Sequence, residues 1–284
     1  MEPKDTAGRG LCVIDKRIME FQTALCVEGD KEYIRVENIK KEINVCNQKY
    51  PTQHAVPIPV VPEIIRFSTI KADNTLYKNN YRVPMGIRYS TVQYTMLDLT
   101  SIGLIATLGR EKSGRTNFVK HMMSAIQTNL FGSITEAYVI DNPERTLQDI
   151  KKYGFVERYT VDITELADIV ADIEKKLVER QEAVLNDSSY SLEDEPLLLL
   201  VIENSKLFEH LQTSKELSTK IIQMLKQYKK YKFAIVLSEI ENANVPFNAP
   251  DFMKYVKENK KFVYFDEIST VKFFDVTARQ QKEN

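Results

Sequence analysis

The chain has 284 residues, of which 43% are hydrophobic and 28% are charged, a composition that excludes wholesale disorder. Its 39 Lys and Arg residues are balanced by 40 Asp and Glu residues, so the formal net charge is −1. Proteins that coat nucleic acids neutralise phosphates with an excess of basic residues. The charge balance therefore disfavours that role, and we expect no nucleic-acid partner.

Three cysteines and the start of the chain bear on its compartment. Cys12, Cys26 and Cys46 have no spacing typical of metal ligands, and their number is odd. Residues 1–9 are polar and lack the apolar core of a signal peptide, so we interpret them as a tail: a native start, a linker or the remnant of a cut. These features predict reduced thiols in the cytoplasm. The longest apolar run, at 197–202, is too short to cross a bilayer.

Residues 10–99 are typical of an irregular extension that packs on a following domain. Two β-like stretches are predicted near Leu11–Ile14 and Phe21–Leu25. Apolar residues at three- and four-residue steps between 33 and 46 predict an amphipathic helix. Three prolines within 54–65 predict an extended connector, because proline donates no backbone hydrogen bond. The last part of the extension favours short edge strands around a turn.

Residues 100–284 alternate apolar strands with helices. Strands are predicted at 103–109, 136–141, 156–162, 196–204, 232–239, 261–267 and 271–276, and helices at 114–130, 163–184 and 214–231. Strands that are continuously apolar and separated by helices favour a parallel sheet covered on both faces. The sequence therefore predicts a doubly wound α/β domain over 100–284.

A motif typical of phosphate loops, GREKSGRT at 109–116, lies between a predicted strand and a predicted helix. Glycines let such a loop curl so that its N–H groups point inward, and the start of the helix adds partial positive charge. The candidate nucleotide-binding residues are Gly109, Arg110, Glu111, Lys112, Ser113, Gly114, Arg115, Thr116 and Asn117. The loop taken alone is also compatible with a strand–helix turn that binds no ligand.

Two positions depart from the pattern of an active ATPase. Arg115 replaces the lysine of GxxxxGK[ST], and a planar guanidinium does not substitute freely for an ammonium on the phosphates. At the end of the apolar strand 196–204, Glu203 and Asn204 stand where Asp and the catalytic Glu are expected. Thr116 and Glu203 are the candidate Mg²⁺ ligands if nucleotide binds. Asn204 cannot act as a general base, so the changes damage hydrolysis more than binding.

The end of another predicted strand and the histidines are further candidate functional features. Ser238 and Glu239 end another predicted strand, where a polar residue often lies near the γ-phosphate, and an ordinary strand end explains them equally well. The three histidines have no ligand spacing. We expect His121, on the helix after the loop, to be a satisfied or solvent-facing side chain.

The segments 9–25, 58–65 and 80–122, together with LLLLVIEN at 197–204, resemble the FtsK/SpoIIIE class of RecA-like ATPases. Within that class the chain is most similar, from about residue 8 to its end, to the C-terminal (third) ATPase domain of EssC-type ATPases of type VII (ESX, WXG100) secretion systems. This resemblance implies a RecA-like P-loop NTPase fold with degenerate nucleotide motifs. It also implies a place at the cytoplasmic face of the cell membrane, as a domain of a membrane-anchored protein.

The resemblance further implies partners. These are WXG100-family secreted proteins and effectors, neighbouring ATPase domains of the same chain, and a hexamer in the full-length protein. Two functional hypotheses follow. In the first, the domain recognises secretion substrates and regulates export, and it binds ATP and Mg²⁺ weakly or not at all. In the second, it is a hydrolysis-competent hexameric motor that drives translocation of protein or, with no electrostatic support from the charge balance, of DNA.

Overall fold

The computed structural model describes residues 8–51, 60–66, 81–128 and 134–277. The chain forms two compact units, Met1–Pro59 and Val60–Asn284. Most of the predicted tail and of the predicted proline-rich connector lies outside the described residues. In the part of the chain that is described, no helix is long and apolar enough to cross a membrane.

The first unit begins with an antiparallel hairpin of β1 (Arg9–Ile14) and β2 (Arg17–Gln22). The two turn residues, Asp15 and Lys16, have φ values of 49° and 67°, as a type I′ turn requires. The second strand was predicted near Phe21–Leu25, but it begins at Arg17. It begins earlier because the turn between the two strands has only two residues.

The helix predicted in the first unit is confirmed as α1 (Glu32–Lys49), but its predicted apolar face is not buried. None of its residues is buried, and its apolar side chains are largely exposed. A helix with so little burial derives little stability from packing within its own unit.

The second unit contains the other α-helices and strands of the described residues. They are β3 (Arg82–Ile87), β4 (Tyr94–Asp98), α2 (Leu99–Ile102), β5 (Leu104–Leu108), α3 (Arg115–Thr128), β6 (Thr135–Ile140), β7 (Val156–Thr160), α4 (Leu166–Asn186), β8 (Leu197–Glu203), α5 (Leu207–Thr213), α6 (Lys215–Gln227), β9 (Phe233–Ile240), α7 (Asp251–Asn259) and β10 (Phe262–Tyr264). Strands β3 and β4 pair antiparallel, which confirms the predicted short strands around a turn.

Six strands form one parallel sheet in the order β10-β5-β9-β8-β6-β7. Alternate residues of β8 enter two separate cores: Leu198, Leu200 and Ile202 on one face, and Leu197, Leu199 and Val201 on the other. Helix α3 and strand β3 cover the second core, whereas α4 to α7 cover the first. The predicted RecA-like α/β fold, a parallel sheet with helices on both faces, is confirmed.

The strand predicted at 271–276 is wrong, because that segment has no regular secondary structure. Its apolar residues instead act as separate anchors. Phe273 and Phe274 are buried in the core, and the Phe274 ring stacks on Phe262 with centroids 4.2 Å apart. The backbone N–H groups of Lys272 and Phe273 donate to the side-chain oxygen of Asn242 rather than to a neighbouring strand.

We expect Leu200→Ala to lower the free energy of unfolding by about 2–5 kcal/mol, because it opens a cavity under the central strand. Leu200 is 0% exposed, whereas Leu185, at the end of α4, is 75% exposed. The matched control Leu185→Ala should change the free energy by less than about 0.5 kcal/mol. Urea unfolding followed by circular dichroism checks both, and equal costs would contradict the assigned core.

Candidate functional site

Polar groups gather at the edge of the sheet where the parallel strands end. The glycine-containing loop follows β5, Glu203 ends β8, and Ser238 lies near the end of β9, between them in the strand order. Thr116, in the first turn of α3, lies close enough to Glu203 for its hydroxyl to lower the pKa of that carboxyl group. The structure therefore brings the two predicted Mg²⁺ ligands together.

The conformation of the loop depends on its glycines. Gly109 and Gly114 have φ values of 156° and 112°, and Lys112 between them has a φ of 62°. A Cβ atom on Gly109 would lie 2.5 Å from Ser113 Oγ and 2.9 Å from Phe265 Cβ. Only glycine fits there, because both the backbone angle and the available space exclude a side chain. The sequence motif is thus folded as a tight strand–loop–helix connection.

The cationic side chains of the loop are placed differently. Arg110 pairs with Asp266, with Nε 2.5 Å and one terminal nitrogen 3.0 Å from the carboxylate oxygens. The Glu267 backbone N–H, assisted by Arg110, holds the pKa of Asp266 below its ordinary value. Among the described residues Arg115 has neither an ion pair nor a hydrogen bond. Arg115 is therefore unengaged, whereas Arg110 is already paired with a carboxylate.

Glu203 is a completely buried carboxyl group. Burial raises the pKa of Glu203; the nearby Thr116 hydroxyl opposes this effect, and the nearby Glu239 carboxylate reinforces it. One of its oxygens accepts from the Thr146 hydroxyl at 3.2 Å, and the other has no partner among the described residues. An orphaned carboxylate oxygen next to a hydroxyl is a donor set that fits Mg²⁺, which prefers hard oxygen ligands.

Asn204 has its side chain tied to the backbone at both ends. Its Nδ2 donates to the carbonyl of Asp141 at 3.1 Å, and its Oδ1 accepts from the N–H of Lys206 at 3.0 Å. The residue is 4% exposed. The amide therefore joins the end of β8 to the end of β6.

Sequence reasoning missed the polar residues that follow β6. Asn142 donates to Glu239 at 2.9 Å and to Thr146 at 3.0 Å, so it connects the ends of two strands. The carboxylate of Asp141 accepts from the Tyr159 hydroxyl at 2.6 Å and from the N–H of Leu147 at 2.8 Å. The available signal was position, since Asp141 is the last residue of a predicted strand, and the ends of parallel strands share this edge of the sheet.

The two predicted strand-end residues, Ser238 and Glu239, have different surroundings. The Ser238 hydroxyl accepts from Thr107 at 3.0 Å and is buried. Glu239 has a φ of 58°, a left-handed conformation that is uncommon outside glycine, and its carboxylate meets Asn142. Glu239 thus belongs to the polar network around Glu203, whereas the Ser238 hydroxyl is bonded to Thr107 within the sheet.

A cleft of about 530 Å³ begins at the loop and runs between α3 and β3. Its lining includes Met85, Gly114, Asn117, Phe118, His121 and Phe265. His121 Nε2 donates to the carbonyl of Pro84 at 2.6 Å, which confirms the expectation of a satisfied histidine. No sequence motif marked Met85 or Phe265, because the cleft arises from segments far apart in the chain.

No protein-family model matches the chain. Among curated relatives, it is 24% identical over 154 residues to the type VII secretion system protein EssC of Staphylococcus aureus (strain MRSA252), covering 53% of this chain and 10% of the relative. It is 23% identical over 246 residues to the ESX secretion system protein EccC of Geobacillus thermodenitrificans (strain NG80-2), covering 84% and 16%. The chain thus spans less than a fifth of the length of either relative.

Two solved structures share the fold. EssC (ATPases 2 and 3) from Geobacillus thermodenitrificans matches with a TM-score of 0.64 and 20% identity, over 95% of this chain and 50% of that one. The cytoplasmic domain of EssC matches with a TM-score of 0.61 and 17% identity, over 97% and 54%. The resemblance to EssC-type ATPase domains is therefore confirmed, and its assignment to the third of them stays a prediction.

We expect Asn204→Asp to lower the free energy of unfolding by about 1–3 kcal/mol at neutral pH, because it removes a buried donor and places a carboxylate against the Asp141 carbonyl. The same substitution at Asn244, which is exposed, is the matched control and should be nearly neutral. Urea unfolding checks both variants. A neutral Asn204→Asp would contradict the structural role of this amide.

Proposed function

We propose that this chain is a type VII secretion ATPase domain with a degenerate nucleotide site, which acts in recognition of exported proteins and in regulation of export. It would hydrolyse ATP weakly or not at all. The proposal builds on the similarity of the chain to the EssC and EccC ATPases. By the resemblance of its sequence, the chain corresponds best to the third ATPase domain of EssC-type proteins.

The observation that carries the loss of hydrolysis is the state of Asn204. Attack of water on a γ-phosphate requires a group that accepts or orients the proton of that water, usually a carboxylate next to the Mg²⁺ ligand. Here that position holds a neutral amide whose two polar ends both bind backbone groups. The position therefore supplies no general base, and the amide that replaces it is already engaged with the backbone.

The elements that bind nucleotide are better preserved than those that hydrolyse it. The loop keeps its glycine-dependent curl at the start of α3, which suits a chain of phosphates. Thr116 and Glu203 would hold Mg²⁺, which neutralises phosphate charge when it is bound. Affinity is lowered because Arg115 presents a guanidinium in place of an ammonium, and because Asp266 competes for Arg110. Weak binding of ATP and Mg²⁺ is the expected result.

The proposed partners and location follow from the resemblance and from the names of the relatives. They are WXG100-family secreted proteins and effectors, at the cytoplasmic face of the membrane. The solved EssC structure with ATPases 2 and 3 in one chain supports neighbouring ATPase domains as further partners. A hexamer of the full-length protein completes the proposal.

A competent motor domain is the second candidate, and Glu239 favours it. This carboxylate ends the strand between the loop and Glu203, and it lies close enough to raise the pKa of Glu203. It could replace the missing base if a neighbouring subunit supplied further positive charge. Its hydrogen bond from Asn142 currently directs it into the polar network.

We expect phosphate release by the chain with Mg·ATP to be no faster than that of Thr116→Ala, which removes a Mg²⁺ ligand. A continuous phosphate assay measures both, and Glu239→Gln is the decisive third sample. Turnover that exceeds the Thr116→Ala background and disappears in Glu239→Gln would contradict the proposal and establish the motor candidate.

We expect the chain to bind the C-terminal tail of a cognate WXG100 protein. Because the proposed recognition does not depend on ATP hydrolysis, the affinity should be the same with and without Mg·ATP. Isothermal titration with the tail peptide measures this, and a peptide of the same composition in scrambled order is the control. Absence of binding by both the tail and the intact secreted protein would overturn the recognition role.

A further inference from the structure

We propose that Cys26 and Cys46 form a dithiol site, which small-molecule disulfides oxidise to an intramolecular disulfide bond. Both cysteines are free and exposed. Both line one cleft of about 700 Å³ in the first unit, the thiol cleft, together with residues 27–28 and six other residues of α1 between 38 and 47. Cys12, on β1, is not among the described residues that line it. The proposal is independent of the nucleotide site.

The segment at 23–31, which follows β2, lies along α1. The Gly29 carbonyl accepts from the Arg35 guanidinium at 2.9 Å, and the Glu28 carbonyl accepts from Asn38 Nδ2 at 2.9 Å. Glycine permits this approach, because a Cβ atom on Gly29 would lie 2.8 Å from Arg35 Cγ and the backbone φ there is 152°. The segment is therefore in direct contact with the first half of α1.

The order of these two contacts gives the direction of the segment. One step back along the segment, from 29 to 28, corresponds to a step forward along α1, from 35 to 38. The segment therefore runs antiparallel to the helix, and residues that precede the contact lie towards the C-terminal end of α1. Cys26 and Cys46 are consequently on the same side of this contact.

The spacing along the chain suits a disulfide bond. Cys26 is two residues from Glu28, which is at most about 7 Å of extended chain. Cys46 is eight residues beyond Asn38, which is about 12 Å along a helix. With the segment extended, the two cysteines are offset by about 5 Å along the helix axis, and disulfide bonds join Cα atoms about 4–7 Å apart. The segment has no regular secondary structure, so it can adjust without loss of a strand or a helix.

The reaction consists of two thiol–disulfide exchanges. The thiolate of one cysteine attacks a sulfur of the small disulfide, whose S–S bond breaks and releases one thiol. The thiolate of the other cysteine then attacks the protein sulfur of this mixed disulfide, forms the Cys26–Cys46 bond and releases the second thiol. Two protein thiols are oxidised, the small disulfide is reduced to two thiols, and the two protons of the protein thiols pass to them through water.

The thiol cleft is suited to a small disulfide that carries charges of both signs. Its lining includes Lys41, Glu28 and Glu42, with the apolar side chains of Ile39 and Ile43 among them. A second thiol held beside a mixed disulfide has an effective concentration at least comparable to millimolar free thiol. The mixed disulfide is therefore resolved within the chain. The product ties the segment at 23–31 to α1, a helix that has no buried residue.

The test equilibrates the full chain with mixtures of reduced and oxidised glutathione, blocks the free thiols with N-ethylmaleimide and maps tryptic peptides without reduction. The three cysteines fall in separate peptides, 10–16, 18–31 and 42–49. We expect 18–31 to be joined to 42–49 in the native chain. The same bond should need at least about tenfold more oxidising mixtures in 6 M guanidinium chloride, because only the folded unit holds the thiols together.

The cysteine variants provide the matched controls. Cys12→Ser should form the bond as the wild-type chain does, whereas Cys46→Ser should leave Cys26 as a mixed disulfide with glutathione. A bond between Cys12 and Cys26 in equal yield in Cys46→Ser would overturn the assignment of the pair.

The wild-type chain gives the remaining outcomes, so none depends on whether a variant folds. Glutathione on both 18–31 and 42–49 without a bond between them would overturn the proposal. Equal bond formation in the native chain and in guanidinium chloride would also overturn it, as would a bond that joins two chains on a non-reducing gel.

Discussion

Folding removes the carboxyl group of Glu203 completely from water at the end of the central strand. A buried carboxyl group requires donors, and the Thr146 hydroxyl, after β6, supplies one at 3.2 Å. The Thr116 hydroxyl, on α3, lies near the same carboxyl group, so the start of α3 and the segment after β6 both approach Glu203. No described protein group satisfies the second oxygen of Glu203, which is the kind of oxygen that would suit a cation.

The amide of Asn204 has a structural role. It joins the end of β8 to the end of β6 through the Asp141 carbonyl. A glutamate there would face that carbonyl with a second acceptor, so introducing an acid at this position would cost a buried hydrogen bond. The surroundings of residue 204 therefore favour an amide over a carboxylate.

Sequence patterns predicted the sheet and its edge because each strand is a continuous apolar run that ends in polar residues. This local signal located the loop, Glu203 and Asn204. The contacts that complete the site join residues far apart, such as Thr146 with Glu203 and Arg110 with Asp266, which lie 57 and 156 positions apart. They depend on the strand order, and local patterns do not determine that order. The wrong strand at 271–276 has the same origin, because its phenylalanines have β-propensity, whereas its backbone N–H groups donate to the distant Asn242 side chain.

The pairing of β10 with β5 places the segment after β10 beside the glycine-containing loop. The N–H of Phe265 donates to the Leu108 carbonyl at 2.9 Å, so the chain leaves β10 directly beside the phosphate loop. Phe265 then walls the cleft, and the next residue, Asp266, holds Arg110. Phosphates bound at the loop would compete with Asp266 for the guanidinium of Arg110. Because the arginine side chain is 83% exposed, this ion pair contributes little stability. Two consecutive residues of one short segment, Phe265 and Asp266, thus lie beside the loop.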